Sequence, residues 1–249
     1  MKVIQISDCH LFADKNKLGY NHINPYNSLA RILIEVIAHK PDYLLVTGDI
    51  SGDHSKASYQ HFKQLLAAAN IQCPYSIIPG NHDLPELLVT QFPAQCLWHN
   101  SPLNLGTSQW QLHLMSSHYQ GALGYVAEGD LNRLAAHLTD NPDKYHLLAV
   151  HHHPVSCGFW MDKHEWLNRA EFINLIEQFP KVKAVVYGHI HNDLETNKKG
   201  VKYLACPATC WQWAAEPSFA VSELSSGFRV INLSENGQVN TSVQRLASV

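Results

Sequence analysis

Five short apolar runs, each ending in aspartate or histidine, constrain the fold of this chain more than any other feature. They are 2–8 (KVIQISD), 41–49 (PDYLLVTGD), 75–83 (YSIIPGNHD), 146–153 (HLLAVHHH) and 182–191 (VKAVVYGHIH). Helix-like patterns precede the second, third and fifth runs, at roughly 26–39, 55–70 and 165–178. Strands that are apolar on both faces are typically buried between helices, and ligand sites lie beyond their carboxyl ends. The alternation of apolar runs and helix-like patterns predicts an α/β fold whose polar residues lie together at one edge of the sheet.

The pattern changes from about Asp193 onwards. Alternating segments separated by the turn signals NKKG, SSG and ENGQ predict an antiparallel C-terminal portion. Residues 98–129 are harder to assign, although WQLHLMSS predicts a strand. The chain has 249 residues and no linker or internal repeat, so we expect residues 1–249 to form a single domain.

Charge and composition argue against several classes of partner. Hydrophobic residues make up 45% and charged residues 16% of the chain, which is typical of an ordered protein. A net charge of −3 without any run of lysine and arginine disfavours nucleic acid and anionic membranes. Asp8 and His10 interrupt the N-terminal apolar run, and no stretch approaches the roughly 18 apolar residues of a membrane span. We therefore expect a cytoplasmic protein.

The six cysteines include no CxxC pair. A chain of this size does not need disulfides, so reduced, mostly buried thiols are expected. Cys206 and Cys210 are four residues apart and could ligate a metal together, but two soft ligands alone are a weak signal.

Five motifs at the ends of the apolar runs carry the chemistry: DCH, GD, GNHD, HHHP and GHIH. In an extended strand, residues two apart share a face, so Asp8 with His10, and His189 with His191, could each form a chelate. Carboxylate, amide and imidazole donors suit manganese, iron or zinc. Two such ions about 3.5–4 Å apart typically bind the attacking and leaving oxygens of a phosphoryl displacement. The Asp49 carboxylate could bridge the two ions. The polar residues of any one motif alone are more often hydrogen-bonded within a protein core. The five motifs together predict a metal site.

The ordered set SDCH, TGDISGD, PGNHD, HHHP and GHIH resembles the calcineurin-like metallophosphoesterases over most of the chain. Further segments resemble the bacterial 3',5'-cyclic AMP phosphodiesterases (class III): DCHLFADKNKLGYN, SYQHFKQLL, HHHPVSCGFWMDKHEWLNRAEF and CPATCWQW. One departure is LMSSHY at 114–119, where that branch would have an aspartate, although not at a ligand position. The resemblance implies a four-layer α/β/β/α sandwich of two mixed sheets flanked by helices. Periodicity alone does not distinguish this from a doubly wound single sheet.

The resemblance also implies the roles of individual residues. One metal would be held by Asp8, His10, Asp49 and His191, and a second by Asp49, Asn81, His189 and a histidine of HHHP. His82 would contact the phosphate and protonate the leaving oxygen, with Asp83 orienting it. Substrate contacts would come from His10, Asn81, His82 and His191. The metal ions would be divalent or trivalent, with iron or manganese favoured and zinc as an alternative.

The three histidines of HHHP leave one ligand to be chosen. In an extended chain His152 faces opposite to His151 and His153, and the apolar residues before them do not decide between the two faces. In the family the ligand commonly stands two residues before the proline, which selects His152. His151 is then expected to pack beneath the sheet end, and remains the named alternative, while His153 would lie near the substrate rim.

The implied reaction is hydrolysis of 3',5'-cyclic AMP to 5'-AMP by attack of a metal-bound hydroxide on phosphorus. Glycerophosphodiesters or other small phosphodiesters are alternative substrates, and a non-catalytic binding module with this fold is a rival class. Trp211 and Trp213 of CWQW could stack on a purine, but aromatic residues more often pack a loop or an interface. Asn21 and His22 are further candidate substrate contacts. Whether the protein is a monomer or a homodimer stays open.

Overall fold

The computed structural model describes residues 1–100, 102–106 and 109–247, and two mixed sheets dominate these residues. The strands are β1 Lys2–Ile6, β2 Tyr43–Val46, β3 Tyr75–Ile77, β4 Leu103–Leu105, β5 Trp110–Leu114, β6 Tyr145–Ala149, β7 Val182–Tyr187, β8 Glu195–Lys198, β9 Val201–Ala205, β10 Gln212–Trp213, β11 Val221–Ser222, β12 Gly227–Leu233 and β13 Val239–Arg245. The α-helices are α1 Pro25–Ala38, α2 Lys56–Ala68, α3 Pro85–Gln91, α4 Glu128–Asp140 and α5 Arg169–Ile176. Short 3-10 helices cover Tyr20–His22 and Trp160–Lys163.

Both large sheets combine parallel and antiparallel strands. The first has the order β13-β12-β1-β2-β3, in which β1, β2 and β3 are parallel and β12 and β13 are antiparallel. The second has the order β4-β5-β6-β7-β9-β8, in which β5, β6, β7 and β9 are parallel and the two edge strands are antiparallel. β10 and β11 form a separate pair. The parallel strands of each sheet place the loops that follow their carboxyl ends at a common edge.

Alternate residues of the second sheet belong to two different hydrophobic clusters. Leu147 and Ala149 of β6 pack with the first sheet and with α1 and α2, whereas Leu148 of β6 packs with α4 and α5. Since neighbouring side chains of a strand point to opposite faces, the second sheet is covered by the first sheet on one side and by helices on the other. The expected four-layer arrangement of helices, two mixed sheets and helices is confirmed.

Helix α1 illustrates how sequence signals define these layers. Asn24 caps the helix by accepting a hydrogen bond from the backbone N–H of Asn27 (2.9 Å), and Pro25 occupies the first turn. Leu29, Ile32, Leu33 and Val36 are buried along one face, with the spacing of an amphipathic helix. Burial of this stripe against the first sheet fixes the outer layer.

Two elements differ from the sequence-based expectations. The helix α4 was not predicted, because its apolar stripe of Leu131, Leu134 and Leu138 lies among many polar residues. Within the C-terminal portion, β8 pairs antiparallel with β9 as expected, but β9 joins the parallel core beside β7. No helix in the described ranges is long and apolar enough to cross a membrane.

Candidate metal centre

The predicted ligands lie in loops just beyond the strands rather than within them. β1 ends at Ile6 and β7 ends at Tyr187, so Asp8 and His189 follow each strand by two residues. Five of the predicted ligands have positive φ angles: Asp8 55°, His10 47°, Asp49 53°, His189 69° and His191 41°. This left-handed conformation is uncommon for residues other than glycine and is concentrated at functional sites. The Asp8–His10 and His189–His191 pairs therefore lie in turns, whereas the alternation argument had placed them in extended strands.

Two glycines allow these loops to approach each other closely. A Cβ atom on Gly188 would overlap Ser7 Oγ and lie 2.6 Å from Asp8 Oδ2. A Cβ atom on Gly80 would overlap Asp49 Oδ1 and lie 2.5 Å from the Asp49 backbone nitrogen. Both positions bring backbone against a ligand carboxylate, which explains why a side chain is excluded there.

One group of donor atoms joins the DCH, GD and GHIH loops. His10 Nε2 lies 3.0 Å from His191 Nε2 and 3.6 Å from Asp49 Oδ2. His191 Nε2 in turn lies 3.4 Å from Asp8 Oδ1. All four residues are at most 6% exposed. The structure thus brings together the four residues expected to hold the first metal.

A second group of donor atoms also lies close to the Asp49 carboxylate. His151 Nε2 lies 3.5 Å from Asp49 Oδ2 and 3.2 Å from Asn81 Oδ1. Asp8, Asp49 and His151 also form one compact group of potential ligand atoms, all within 4.8 Å of one another. Asp49 contacts His10 and His151 through the same oxygen, Oδ2, which suits a bridging carboxylate, and Asp8 lies in the same compact group.

Backbone carbonyl groups determine which nitrogen of each histidine is free. His191 Nδ1 donates to Trp211 O (2.8 Å), His151 Nδ1 to Thr47 O (2.7 Å) and His189 Nε2 to His164 O (3.2 Å). Because a carbonyl oxygen only accepts, the opposite nitrogen of each neutral ring carries a lone pair. For His191 that lone pair faces another imidazole nitrogen. Burial opposes the charge of His151, but Asp49 raises its pKa to about 9, so without a metal its Nε2 holds a proton towards Asp49 and Asn81 that a cation would displace. Clustered imidazole nitrogens and carboxylate oxygens whose other ring nitrogens are held by carbonyl groups are typical of metal ligands, so the donor set fits metal ions.

His152 does not lie at the position expected for the second-metal ligand. Its Nδ1 lies 2.8 Å from Ser117 Oγ, and its backbone N–H donates to the same hydroxyl (3.1 Å). The ring packs against His189 with centroids 4.5 Å apart and fills the space beside Gly124. The geometry brings His151, and not His152, beside Asp49 and Asn81. The reason is that β6 ends at Ala149 and the histidines follow in a bend, so strand alternation does not set their directions.

Burial and charge act together on the acidic groups. Burial opposes ionisation of Asp49, but the charge of His151 and its hydrogen bond hold the pKa of Asp49 well below its usual value. Asp8 behaves similarly: burial opposes ionisation, and His191 holds its pKa below the usual value. Burial lowers the pKa of His10 to about 3. The centre consequently offers ionised carboxylates and a neutral imidazole, the forms that bind metals.

The GNHD loop places its histidine and aspartate in different roles. The backbone N–H of His82 donates to Asp49 Oδ1 (2.8 Å), and its ring meets the edge of His10 at 4.9 Å between centroids. Asp83 is fully buried and accepts hydrogen bonds from the backbone of Ile50 (3.1 Å) and Gly80 (3.0 Å), and from the hydroxyl of Tyr59 (3.2 Å). Asp83 thus ties the GD and GNHD loops together. Its hydrogen bonds do not include the His82 ring, through which it was expected to act.

An aromatic cleft opens beside His10 and His82. Its volume is about 660 Å³, within the range of small-molecule sites. The walls are formed by Phe12, Leu18, Gly19, Tyr20, Gly52, Trp160, Lys163, His164, Trp211, Trp213 and Phe219. Trp211 and Trp213 are nearly buried and stack on His10 (5.3 Å) and His191 (4.7 Å). The two tryptophans therefore support the ligand rings as well as lining the cleft.

Several cleft residues were missed by the sequence analysis. Tyr20 and Phe219 are about half exposed at the rim, and Trp160 comes from the segment after HHHP. Only the pairing of these distant loops in space identifies them, although Tyr20 lies in the segment GYNH that follows the first motif. Asn21 and His22 do not line the cleft described here: Asn21 donates instead to Ser222 O (3.0 Å), and His22 is exposed.

All six cysteines are free thiols. The two that were considered as a metal pair point to different acceptors, since Cys206 Sγ donates to Gln5 O (3.3 Å) and Cys210 Sγ to Asp8 O (3.1 Å). Cys210 lies close to His10 and His191. Burial raises the pKa of its thiol, which keeps it protonated.

Comparisons with known proteins agree in sequence and in fold. A profile described as calcineurin-like phosphoesterase matches residues 1–193. The 3',5'-cyclic adenosine monophosphate phosphodiesterase CpdA of Vibrio vulnificus is 37% identical over 100% of this chain and 91% of its own length. The protein of the same name from Escherichia coli is 34% identical over 99% of this chain and 90% of its own length. A dimetal phosphatase from Danio rerio has a TM-score of 0.68 at 13% identity, covering 93% of this chain and 92% of its own.

Proposed function

The chain belongs to the calcineurin-like phosphoesterases, and we propose that it hydrolyses 3',5'-cyclic AMP to 5'-AMP at a binuclear metal centre. The observation that carries this proposal is the Asp49 carboxylate, which lies between two groups of nitrogen and oxygen donors. The choice of substrate is supported by the relatives named as cyclic AMP phosphodiesterases, which align with this chain over nearly its full length.

The donors divide into two sets around Asp49. Asp8, His10, Asp49 and His191 would hold one ion, and Asp49, Asn81, His151 and His189 the other. His151 replaces His152 in this proposal because its free nitrogen faces Asn81 and Asp49. Imidazole, amide and carboxylate donors without thiolate suit iron or manganese, with zinc as an alternative. When bound, the two ions would activate water near neutral pH and neutralise charge on the phosphoryl oxygens.

The remaining residues bind, orient and transfer protons. His82 lies at the cleft beside His10 and would donate a proton from its imidazole to the departing 3'-oxygen as the P–O3' bond breaks. Asp83 would fix the two loops that carry Asp49 and His82, through its hydrogen bonds to Ile50 and Gly80. Its role is that of a positioning residue.

The cleft supplies features that suit a nucleotide. Tyr20 and Phe219 present exposed aromatic rings at the rim, and Lys163 adds a positive charge to the lining. An aromatic ring and a purine stack through their π-faces, which binds a base without reading its edge. Trp211 and Trp213 are more buried, so we assign them chiefly to packing against His10 and His191.

A comparison of steady-state rates tests the proposal. Rates on cyclic AMP, cyclic GMP, 2',3'-cyclic nucleotides and glycerophosphocholine should be measured on one preparation whose metal content is known. We expect cyclic AMP to have the highest kcat/KM. Preference for glycerophosphocholine would assign the centre to glycerophosphodiesters, and absence of turnover on bis(p-nitrophenyl) phosphate with metals bound would favour a non-catalytic binding module.

A further inference from the structure

A second cluster of potential ligands lies on the segment that follows the HHHP motif. It consists of His153, Cys157 and Asp162, whose donor atoms all lie within 4.8 Å of one another. His153 Nε2 is 3.4 Å from Asp162 Oδ1, and Cys157 Sγ is 3.3 Å from the same oxygen. These three residues belong to neither of the donor sets assigned to the binuclear centre.

The ring nitrogens of His153 are buried without a hydrogen bond. Its side chain is fully inaccessible, and neither Nδ1 nor Nε2 has a hydrogen-bond partner among the residues that the structure describes. An unsatisfied buried polar group typically costs about 1–3 kcal/mol, so such a group calls for an explanation. The Nε2 atom points towards Asp162 and Cys157, which suggests that its missing partner belongs in that cluster.

The carboxylate of Asp162 is held by hydrogen bonds from its own loop. Oδ2 accepts from the hydroxyl of Ser156 (2.6 Å) and from the backbone N–H of Gly158 (2.9 Å). Oδ1 accepts from the backbone N–H of Cys157 (2.9 Å) and from the Cys157 thiol. If the thiol loses its proton and binds a cation, the lone pair that accepted it becomes free to bind the same cation. The backbone hydrogen bonds would hold the carboxylate in place throughout.

We propose that His153, Cys157 and Asp162 bind a zinc ion, as a third metal site separate from the binuclear centre. One imidazole, one thiolate and one carboxylate are all established zinc donors, and thiolate favours zinc over manganese or magnesium. The side chain of Asp162 is 31% exposed, so water can complete a tetrahedral site from the solvent side. Binding would release the thiol proton of Cys157 to solvent.

The consequence of this site concerns the wall of the cleft. Between Cys157 and Asp162 the chain carries Trp160, and two residues further on it carries His164. Trp160 and His164 line the cleft, and the carbonyl of His164 accepts the hydrogen bond from His189. A zinc ion that ties His153 to Asp162 would hold this wall to the end of β6.

Metal analysis of the intact protein tests the site. Protein whose binuclear centre is filled with manganese should be titrated with zinc under conditions that retain the manganese, and bound metal measured by mass spectrometry. We expect one zinc equivalent per chain, lost in Cys157→Ala and weakened at least tenfold in Asp162→Asn. The matched control is Cys73→Ala, a half-buried cysteine outside every potential metal cluster in the described ranges, which should retain the zinc.

Cobalt(II) gives a second readout, because a thiolate ligand adds a charge-transfer band in the near ultraviolet. We expect this band in the wild-type protein and in Cys73→Ala, and its loss in Cys157→Ala. The proposal is overturned if wild-type protein binds no zinc beyond the binuclear centre. It is also overturned if the band persists in Cys157→Ala and disappears in Cys210→Ala, since the thiolate would then belong to the binuclear centre.

Discussion

The lone pair that each histidine offers to the centre is set by the backbone carbonyl facing its other nitrogen. Thr47 O fixes His151, Trp211 O fixes His191 and His164 O fixes His189. His152 lacks such a carbonyl partner, and its Nδ1 meets the Ser117 hydroxyl instead. Orientation by a second residue raises ligand basicity and fixes the tautomer, so this difference distinguishes two neighbouring histidines that the sequence could not separate.

Replacement of single histidines of HHHP tests this assignment. His151→Ala should lose one of the two metal equivalents, because it removes the only nitrogen facing both Asn81 and Asp49 among the described residues. His152→Ala is the matched control and should retain both equivalents. Metal content per folded chain, measured by mass spectrometry, gives the result, and the opposite pattern would restore His152 as the ligand.

The role of His82 is tested by the leaving group. Proton donation typically contributes about 10²–10⁴-fold, and it matters most when the leaving oxygen is strongly basic. His82→Ala should therefore lose about 10²–10⁴-fold in kcat on cyclic AMP but much less on bis(p-nitrophenyl) phosphate, whose leaving group departs without a proton. Equal losses on both substrates, with metal content unchanged, would contradict the role as proton donor.

At the level of elements, the turns that follow the strands, and not the strands themselves, orient the proposed metal ligands. β1, β2 and β7 deliver the chain to one edge, where positive-φ turns redirect Asp8, Asp49 and His189 towards a common point. Regular strands could not do this, because their side chains alternate between faces. The glycines at these turns are therefore part of the centre, since each lets one loop lie directly against a carboxylate of another.

Gly188→Ala tests this close approach. The added methyl group would overlap Ser7 Oγ and press against Asp8 Oδ2, so we expect metal binding at the Asp8 side to weaken at least tenfold. Gly129→Ala is the control: its Cβ would meet only Arg133 Nη1 at 3.8 Å, and alanine favours the helix α4. Metal titration of both variants, with circular dichroism as a check of folding, measures the difference. Normal affinity in Gly188→Ala would show that the loop can move aside.

At the level of the whole molecule, the two sheets must be packed together for the centre to exist. The first sheet supplies the DCH, GD and GNHD loops, and the second supplies HHHP and GHIH. Gln5 of β1 links them inside the core, since its Nε2 donates to Thr47 Oγ1 (2.9 Å) and to Tyr187 O at the end of β7 (3.0 Å). Stability of the sandwich and assembly of the site are therefore coupled.

Low pH should reduce the free energy of unfolding through a pair of buried histidines in the second sheet. His113 Nε2 and His146 Nδ1 lie 3.0 Å apart, and burial lowers their pKa values to about 3 and about 4. As the pH falls below about 6.5, these histidines bind protons in the unfolded chain but stay neutral in the folded protein. The stability due to this pair is thus complete above about pH 6.5 and is lost as the pH falls towards 4.

Urea unfolding at pH 7 and pH 5 measures this effect. The double variant His113→Gln/His146→Gln should lose less stability between the two pH values than the wild-type protein. His22→Gln, which changes an exposed histidine, should behave like the wild type. An unchanged difference in the double variant would mean that other groups cause the loss.

The sequence by itself determined the α/β class and the residues gathered at one edge, whereas its periodicity left a doubly wound single sheet open. Apolar runs and amphipathic spacing such as that of α1 follow from burial, which depends on local patterns. It did not determine the helix α4, the parallel position of β9, or which histidine of HHHP faces Asp49. Tertiary structure decided these, because they depend on contacts between distant segments: the Thr47 carbonyl orients His151, and the Ser117 hydroxyl binds His152. The aromatic cleft likewise arises only where the loops around Tyr20, Trp160 and Phe219 meet.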